Sequence, residues 1–257
     1  MPSERIKFTN NNGHELAGFL DMPESGSPKA FALFAHCFTC GKNLKPIVNI
    51  NRALTNHGIA VLRFDFTGIG ESEGEFSETN FSSTVDDLIA AAEYLDEHHK
   101  APTLLIGHSM GGAAVLQAAH DIPFSKAVVT IAAPSNPNHL SGILQEKREK
   151  VKSKGAADVT IGGKTFTLTK QFFRDLEQTR MEGFIRDLER ALLILHSPQD
   201  DTVDIRNAAE IFQTARHPKS YVSLDEMGHL MLEEDQAKYV GNLIAAWADR
   251  YVSGSGK

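Results

Sequence analysis

Short apolar runs separated by helix-patterned stretches constrain this chain more than any other feature of it. The segments "KAFALFAH" (29–36), "IAVLRFDF" (59–66), "PTLLIGHS" (102–109), "KAVVTIAAP" (126–134), "RALLILHSP" (190–198) and "KSYVSLDE" (219–226) read as strands. Runs that are apolar at nearly every position, rather than at every second one, suit strands covered on both faces. Helical patterns fall between them, over 43–58, 81–99, 111–121, 204–217 and 233–251. Gly58 closes the first of these helices, and Asp204 is placed to cap the start of the fourth. Strand–helix alternation of this kind predicts an α/β fold with a mostly parallel sheet and helices on both faces. The opening segment "RIKFTNNNGHELAGFLDMP" differs, because a polar "NNNG" turn between two alternating runs predicts an antiparallel hairpin at the sheet edge.

One connection is too long for an ordinary crossover. Residues 134–190 lie between consecutive strands, where a helix and two short loops would suffice. They contain a charged helical stretch, "ILQEKREKVKSKG", a hairpin pattern, "ADVTIGGKTFTLT", turning at Gly162-Gly163, and a helical stretch, "KQFFRDLEQTRMEGFIRDL". The expectation is a small cap over the C-terminal edge of the sheet. Its Lys/Arg run reads as a solvated helix face rather than an anion site.

A length of 257 residues fits one domain, over 1–252, with "SGSGK" (253–257) as a flexible end or an added tail. The 33 acidic against 26 basic residues, a net charge of −7, disfavour nucleic acid or an anionic membrane as the main partner. No apolar run approaches the ~18 residues of a membrane span, and "MPSERIKFTNNNG" has no apolar signal core, so a cytoplasmic protein is expected.

The chemistry concentrates in "GHSMGG" (107–112), which follows the strand "TLLI" and opens the helix "GGAAVLQAA". Gly-x-Ser-x-Gly at a strand–turn–helix junction forces the serine into a strained conformation and projects its hydroxyl above the sheet, beside a helix N-terminus. Ser109 then needs a base, because a free serine hydroxyl is a poor nucleophile. Downstream, "LILHSPQDDTVD" sets Asp200, Asp201 and Asp204 just past a buried strand, and "LDEMGHLML" sets His229 after the last strand. All these positions follow strand C-terminal ends, which share one edge in a parallel sheet. Ser109, one aspartate and His229 can therefore converge. Among the 11 histidines, His98, His99 and His217 read as surface residues, and His36, His108 and His196 as packed near strand ends.

In the order "GHSMGG", "LHSPQDDTV" and "GHL", together with "RFDFTGIGESEG" (63–74), the chain resembles α/β-hydrolase fold serine hydrolases over nearly its whole length. The segments "AHCFTCGKNLK", "AVLRFDFTGIGESEGEFSETNFSSTVDDL", "APTLLIGHSMGGAAVL" and "ARHPKSYVSLD" resemble the branch often fused to an OsmC-like peroxidase domain. The resemblance implies an eight-stranded, mostly parallel sheet with a small cap insertion. It implies a Ser-His-Asp triad of Ser109, His229 and Asp200, the last set by matching His196 to Val203 against the family pattern. Ser197 departs from the usual glycine there, and Asp201 is the runner-up. It further implies an oxyanion hole from the backbone N–H groups of Phe38 and Met110, no cofactor, a small carboxylic ester as substrate, and an OsmC-like peroxidase domain as a partner of relatives. Thioester hydrolysis or perhydrolysis on the same triad, or a docking role with weak esterase activity, are the alternatives.

Both cysteines, Cys37 and Cys40, lie in this implied oxyanion loop. No second Cys or His cluster is in range for zinc, and a thioredoxin-type pair would open a helix in a different fold. The expectation is a pair of reduced, structural thiols, with a redox switch as the main competing idea and a metal site as the least favoured. For the substrate pocket the candidates are Phe166, Phe172, Phe173 and Met181 of the insertion, with Leu230 beside His229. Phe184 is a further insertion aromatic, and a compact cap predicts short acyl groups.

Overall fold

The computed structural model describes residues 1–161 and 163–252; Gly162 of the expected hairpin turn and the 253–257 tail lie outside the described residues. Eight strands form one sheet: β1 (Ser3–Thr9), β2 (Glu15–Asp21), β3 (Ala30–Ala35), β4 (Ile59–Phe64), β5 (Leu104–His108), β6 (Ala127–Ile131), β9 (Ala191–His196) and β10 (Lys219–Ser223). Their spatial order is β1-β2-β4-β3-β5-β6-β9-β10. Every pairing from β4 to β10 is parallel, while β1–β2 and β2–β4 are antiparallel. The order reverses between β3 and β5, where a crevice opens at the strand C-terminal ends.

The period-2 alternation of each strand divides the core in two. From β3, Phe31, Leu33 and Ala35 join one apolar cluster, with α2 (Phe81–His98), α3 (Met110–Ala118) and α8 (Arg206–Thr214). Ala30, Ala32 and Phe34 join the other, with α1 (Lys45–Asn56) and α9 (Glu234–Val252). Both faces of the central strands are thus dry, which is why their sequences carry no polar alternation.

Residues 134–190 hold α4 (His139–Ile143), α5 (Gln145–Lys154), a hairpin of β7 (Ala156–Ile161) and β8 (Lys164–Thr169), α6 (Lys170–Gln178) and α7 (Met181–Arg186). The insertion shares its apolar core with the α2/α3 face of the sheet. Asp175 of α6 accepts hydrogen bonds from the N–H (3.0 Å) and hydroxyl (2.6 Å) of Ser82, in the first turn of α2. A carboxylate there meets the positive end of the α2 dipole. The sequence pattern gave one helix over 170–188, and the structure has two. Thr179 is extended, its N–H and hydroxyl both donate to the Asp175 carbonyl, and the chain turns before α7. Among the described residues no helix is long and apolar enough to cross a membrane.

Candidate active site

The turn from β5 into α3 holds Ser109 at φ 55° and ψ −125°, in the left-handed half of backbone space. A β-carbon costs free energy there, so the surroundings must impose the conformation. The Ser109 N–H donates to the Ile131 carbonyl at 2.8 Å. A β-carbon on Gly107 would collide with the Gly111 backbone, and one on Gly111 with the carbonyls of Ala35 and His36. The motif glycines therefore exist because β5, α3 and the end of β3 approach closer than any side chain allows.

Two loops bring partners to Ser109. His229, between β10 and α9, has its Nε2 3.1 Å from Ser109 Oγ. Its Nδ1 lies 2.8 Å from Asp200 Oδ2, in the loop after β9. A carboxylate only accepts, so Nδ1 carries the proton and Nε2 presents a lone pair to the serine hydroxyl. Asp200 Oδ1 accepts from the N–H groups of Thr202 (2.9 Å) and Val203 (2.8 Å). Burial pushes the Asp200 carboxyl up, but the bond from His229 and those from the two amides outweigh it and leave it below the ordinary value. Asp201 is exposed and, among the described residues, accepts only from the Thr202 hydroxyl. Asp204 pairs with Arg206 at the start of α8. Ser197 closes the turn on the other side, its Oγ accepting from the Gln199 N–H at 3.0 Å.

Buried neutral histidines support these loops. His108 Nε2–H donates to the backbone carbonyl of His229 at 2.8 Å, and burial, then the neighbouring His229, pushes its pKa down to about 3. His196 Nε2–H donates to the Val203 carbonyl at 2.7 Å, and burial holds it low as well. Each braces the backbone of a residue in or beside the Ser109 relay without adding positive charge.

The loop after β3 corrects one expectation. Cys37 and Cys40 are joined as a disulfide and are not free thiols. The Cys40 N–H donates to the Cys37 carbonyl at 3.1 Å, and Thr39 at φ 58° completes a β-turn with a left-handed third residue. This turn sets the two Cα atoms 5.3 Å apart, inside the range a disulfide spans. The closure depends on that backbone, which the three-residue spacing permits and does not announce. Phe38 lies inside the bridged turn, and among the described residues its N–H has no hydrogen-bond acceptor. Met110 is the first residue of α3, where an N–H has no intrahelical acceptor. Among the described residues no group of three or more His, Cys, Asp or Glu could hold a metal.

Ser109 and His229 open into a cavity of about 300 Å³, walled by Cys37, Phe38, Met110, Val203, Leu230 and, from the insertion, Leu140, Ile143, Leu144 and Ile161. Of the sequence-derived pocket candidates, Leu230 lines this cavity and Phe172 a smaller neighbouring one. Phe166, Phe173 and Met181 line neither; they are buried in the core that joins the insertion to the sheet. Phe184 packs on His120. The insertion's aromatic residues serve its own packing because their large areas stabilise most when fully covered. Apart from Pro134 and His139, the insertion residues that line the cavity are aliphatic, and Leu140, Ile143 and Leu144 stand at the i, i+3, i+4 spacing of one helix face, a signal legible in "HLSGIL".

A family model described as Hydrolase_4, serine aminopeptidase, S33, matches residues 27–146. The crystal structure of an esterase domain from a Rhodothermus marinus protein is 47% identical, covers 98% of this chain and 100% of that one, and superposes with a TM-score of 0.79. The chain belongs to the α/β-hydrolase family. Est1E from Butyrivibrio proteoclasticus, solved with ferulic acid bound, shares the fold at 20% identity and a TM-score of 0.78, over 94% of this hydrolase and 98% of that chain. The rat palmitoyl-protein thioesterase ABHD10 is 25% identical over 178 residues, which is 68% of this hydrolase and 55% of that protein.

Proposed function

We propose that this hydrolase cleaves small carboxylic esters through an acyl-enzyme on Ser109. His229 Nε2 takes the hydroxyl proton as Ser109 Oγ bonds to the acyl carbon. The carbonyl pair moves onto oxygen and is held there by the N–H groups of Phe38 and Met110. The tetrahedral intermediate collapses, the C–O bond to the alcohol breaks, and the imidazolium gives its proton to the departing oxygen. Water repeats the sequence and releases the acid. Asp200 holds the Nδ1–H tautomer and stabilises the imidazolium. The observation that carries this reading is the hydrogen-bond relay from Asp200 through His229 to a serine held at positive φ.

The cavity supports a short acyl chain, in keeping with a compact cap. A thioester is the second reading. It is favoured by the aliphatic wall, where Ile143 is 52% exposed, and by the partial similarity to a palmitoyl-protein thioesterase. The test is Ser109→Ala. It should lose methyl butyrate hydrolysis by several orders of magnitude, ~10⁶ in a comparable triad, and lose labelling by a fluorophosphonate. Retained turnover in the folded variant would overturn the assignment.

A further inference from the structure

The peptide unit that joins Cys37 to Phe38 carries one of the two N–H groups proposed to hold the oxyanion, and three contacts fix that unit. It is trans, so its carbonyl and its N–H point in opposite directions. The Cys37 carbonyl accepts from the Cys40 N–H at 3.1 Å and from His36 Nδ1–H at 2.8 Å. Two donors at one end of the plane turn the Phe38 N–H away from them, and among the described residues it meets no acceptor. The third contact is covalent. The disulfide closes a ring around the three peptide units between Cys37 and Cys40, and this unit is the first of them.

A bridge this local does little for the fold as a whole. The loop it closes is very short, so it removes little freedom from the unfolded chain. What it fixes is the turn. Thr39 sits at φ 58°, where a β-branched side chain is strained. With the bridge open, the Cys40 N–H bond alone closes the turn, and relief of Thr39 opposes it. Opening the turn takes that N–H from the Cys37 carbonyl and leaves the peptide plane held by His36. Cys37 and Cys40 both line the Ser109 cavity, and Cys40 is half-buried. A reductant small enough to enter the substrate's cavity therefore approaches the bridge from the side of the chemistry.

We propose that the Cys37–Cys40 bridge positions the Phe38 N–H for the oxyanion, so that the hydrolase is fast while bridged and slow once a dithiol has opened it. The inference rests on the ester reading above. The opening step is a thiol–disulfide exchange. One thiolate of the dithiol attacks a cysteine sulfur, the protein S–S bond breaks, and a mixed disulfide forms. The second thiolate of the dithiol then displaces the protein sulfur. Two electrons pass to the protein, its two sulfurs take up two protons, and the dithiol leaves as its own disulfide. The oxyanion exists only after Ser109 has attacked, so the loss falls on the transition state and not on substrate binding. Cys37 and Cys40 are positioning residues, acting through the amide they enclose.

Reduction is the cleanest perturbation, because it adds two hydrogen atoms and leaves every side chain of the cavity wall in place. The enzyme is treated with dithiothreitol until both thiols titrate, and methyl butyrate hydrolysis is followed by pH-stat. The value of kcat should fall by about ten- to a hundredfold, since a group misplaced by ~1 Å costs ~10² in rate. KM should stay within about threefold, as expected when only a transition-state contact is lost. Oxidised glutathione should restore the rate. Inhibition by a trifluoromethyl ketone, which forms an anionic hemiketal on Ser109, should weaken by the same factor as kcat. Cys40→Ser should show the same loss and ignore dithiothreitol. A reduced enzyme or a Cys40→Ser enzyme that keeps kcat within about twofold overturns the proposal, and so does a loss confined to KM. A bridge that resists the reductant in the folded enzyme overturns the control by dithiols and leaves Cys40→Ser to decide the positioning role. Turnover that ignores the state of the bridge sinks this inference alone, whereas a bridged enzyme with no turnover of methyl butyrate or other short esters sinks the ester reading and the inference with it.

Discussion

Replacing Asp200 by Asn should disable the Ser109 relay without disturbing its shape, and the reason lies in which oxygen does what. Asp200 Oδ1 accepts from two backbone N–H groups, at 2.9 and 2.8 Å, while Oδ2 faces His229 Nδ1 at 2.8 Å. An Asn at this position must keep its oxygen toward the two amides, since turning its NH₂ to them would oppose donors with donors. The NH₂ then faces His229 and donates to Nδ1. That moves the imidazole proton to Nε2, the atom 3.1 Å from Ser109 Oγ, and removes the lone pair that would take the serine proton. A wrong tautomer of this kind lowers kcat by ~10⁴ in a comparable triad, or about 5.5 kcal/mol of barrier. Asp201→Asn is the control, because that side chain is exposed and holds only the Thr202 hydroxyl; it should stay within about twofold, as an exposed contact of this kind contributes little. Initial rates on methyl butyrate and the rate of fluorophosphonate labelling measure both. If folded Asp200→Asn keeps activity within tenfold of wild type, or Asp201→Asn is the worse variant, the roles assigned to the two oxygens are wrong.

Stability should fall in mild acid. Burial holds the folded pKa values of His36, His108 and His196 below the ordinary histidine value, so unfolding takes up protons once the pH drops below about 6.5. Each contributes up to ~1.4 kcal/mol per pH unit, His108 down to about pH 3, and Asp87, which burial pushes the other way, offsets part of this. A denaturant midpoint that stays flat from pH 7 to 5 would contradict these burials. Ester turnover should peak at roughly four acyl carbons, with graded selectivity because a methylene is worth only ~1–3 kcal/mol; faster hydrolysis of a twelve-carbon ester would refute the short-chain reading. Ile143→Ser with Ile161→Ser should slow hexanoate several-fold more than acetate, since both side chains wall the Ser109 cavity, and an equal loss on both esters would place them outside the acyl path. Alkylation of the unfolded protein should find no free thiol before reduction and two afterwards.

The sheet was legible because both of its faces are buried: strands such as β3 and β9 cannot carry polar residues, and their runs stand out at once. The serine turn was legible because steric crowding restricts it to glycine at fixed positions. Other features depend on contacts between distant segments. Nothing in "CGKNLK" marks Lys42 as buried, yet its side chain is 1% exposed, because its partners Asp65 and Glu71 arrive from the next loop. The disulfide departs from the expected free thiols because it requires a threonine at positive φ, which no local preference forecasts. The split between α6 and α7 hinges on Thr179 turning its hydroxyl back to the Asp175 carbonyl, a choice that Thr makes in some helices and not in others.

The loop after β3 shows why buried charge is kept where apolar packing would serve stability equally well. Asp65 accepts from the N–H and the ammonium of Lys42 and from the N–H of Glu71, and so ties the loop after β3 to the loop after β4. Arg63, itself paired with Asp21, donates to the Lys42 carbonyl and to the Asn43 side chain. A buried ion pair of this kind seldom adds net stability over well-packed apolar residues, because desolvation cancels most of the attraction. Apolar packing, however, has no direction, and a donor N–H must be aimed. Within one turn of Phe38 the backbone is held by the Cys37–Cys40 turn on one side and by the Lys42–Asp65 contacts on the other. These contacts use directional bonds at both ends of the segment and, among the described residues, leave the Phe38 N–H without an acceptor, as a donor reserved for the proposed oxyanion must be. The ionic network thus suits an alignment role under the proposed mechanism: its directional bonds hold the segment that carries the Phe38 amide, at little or no gain in the free energy of folding.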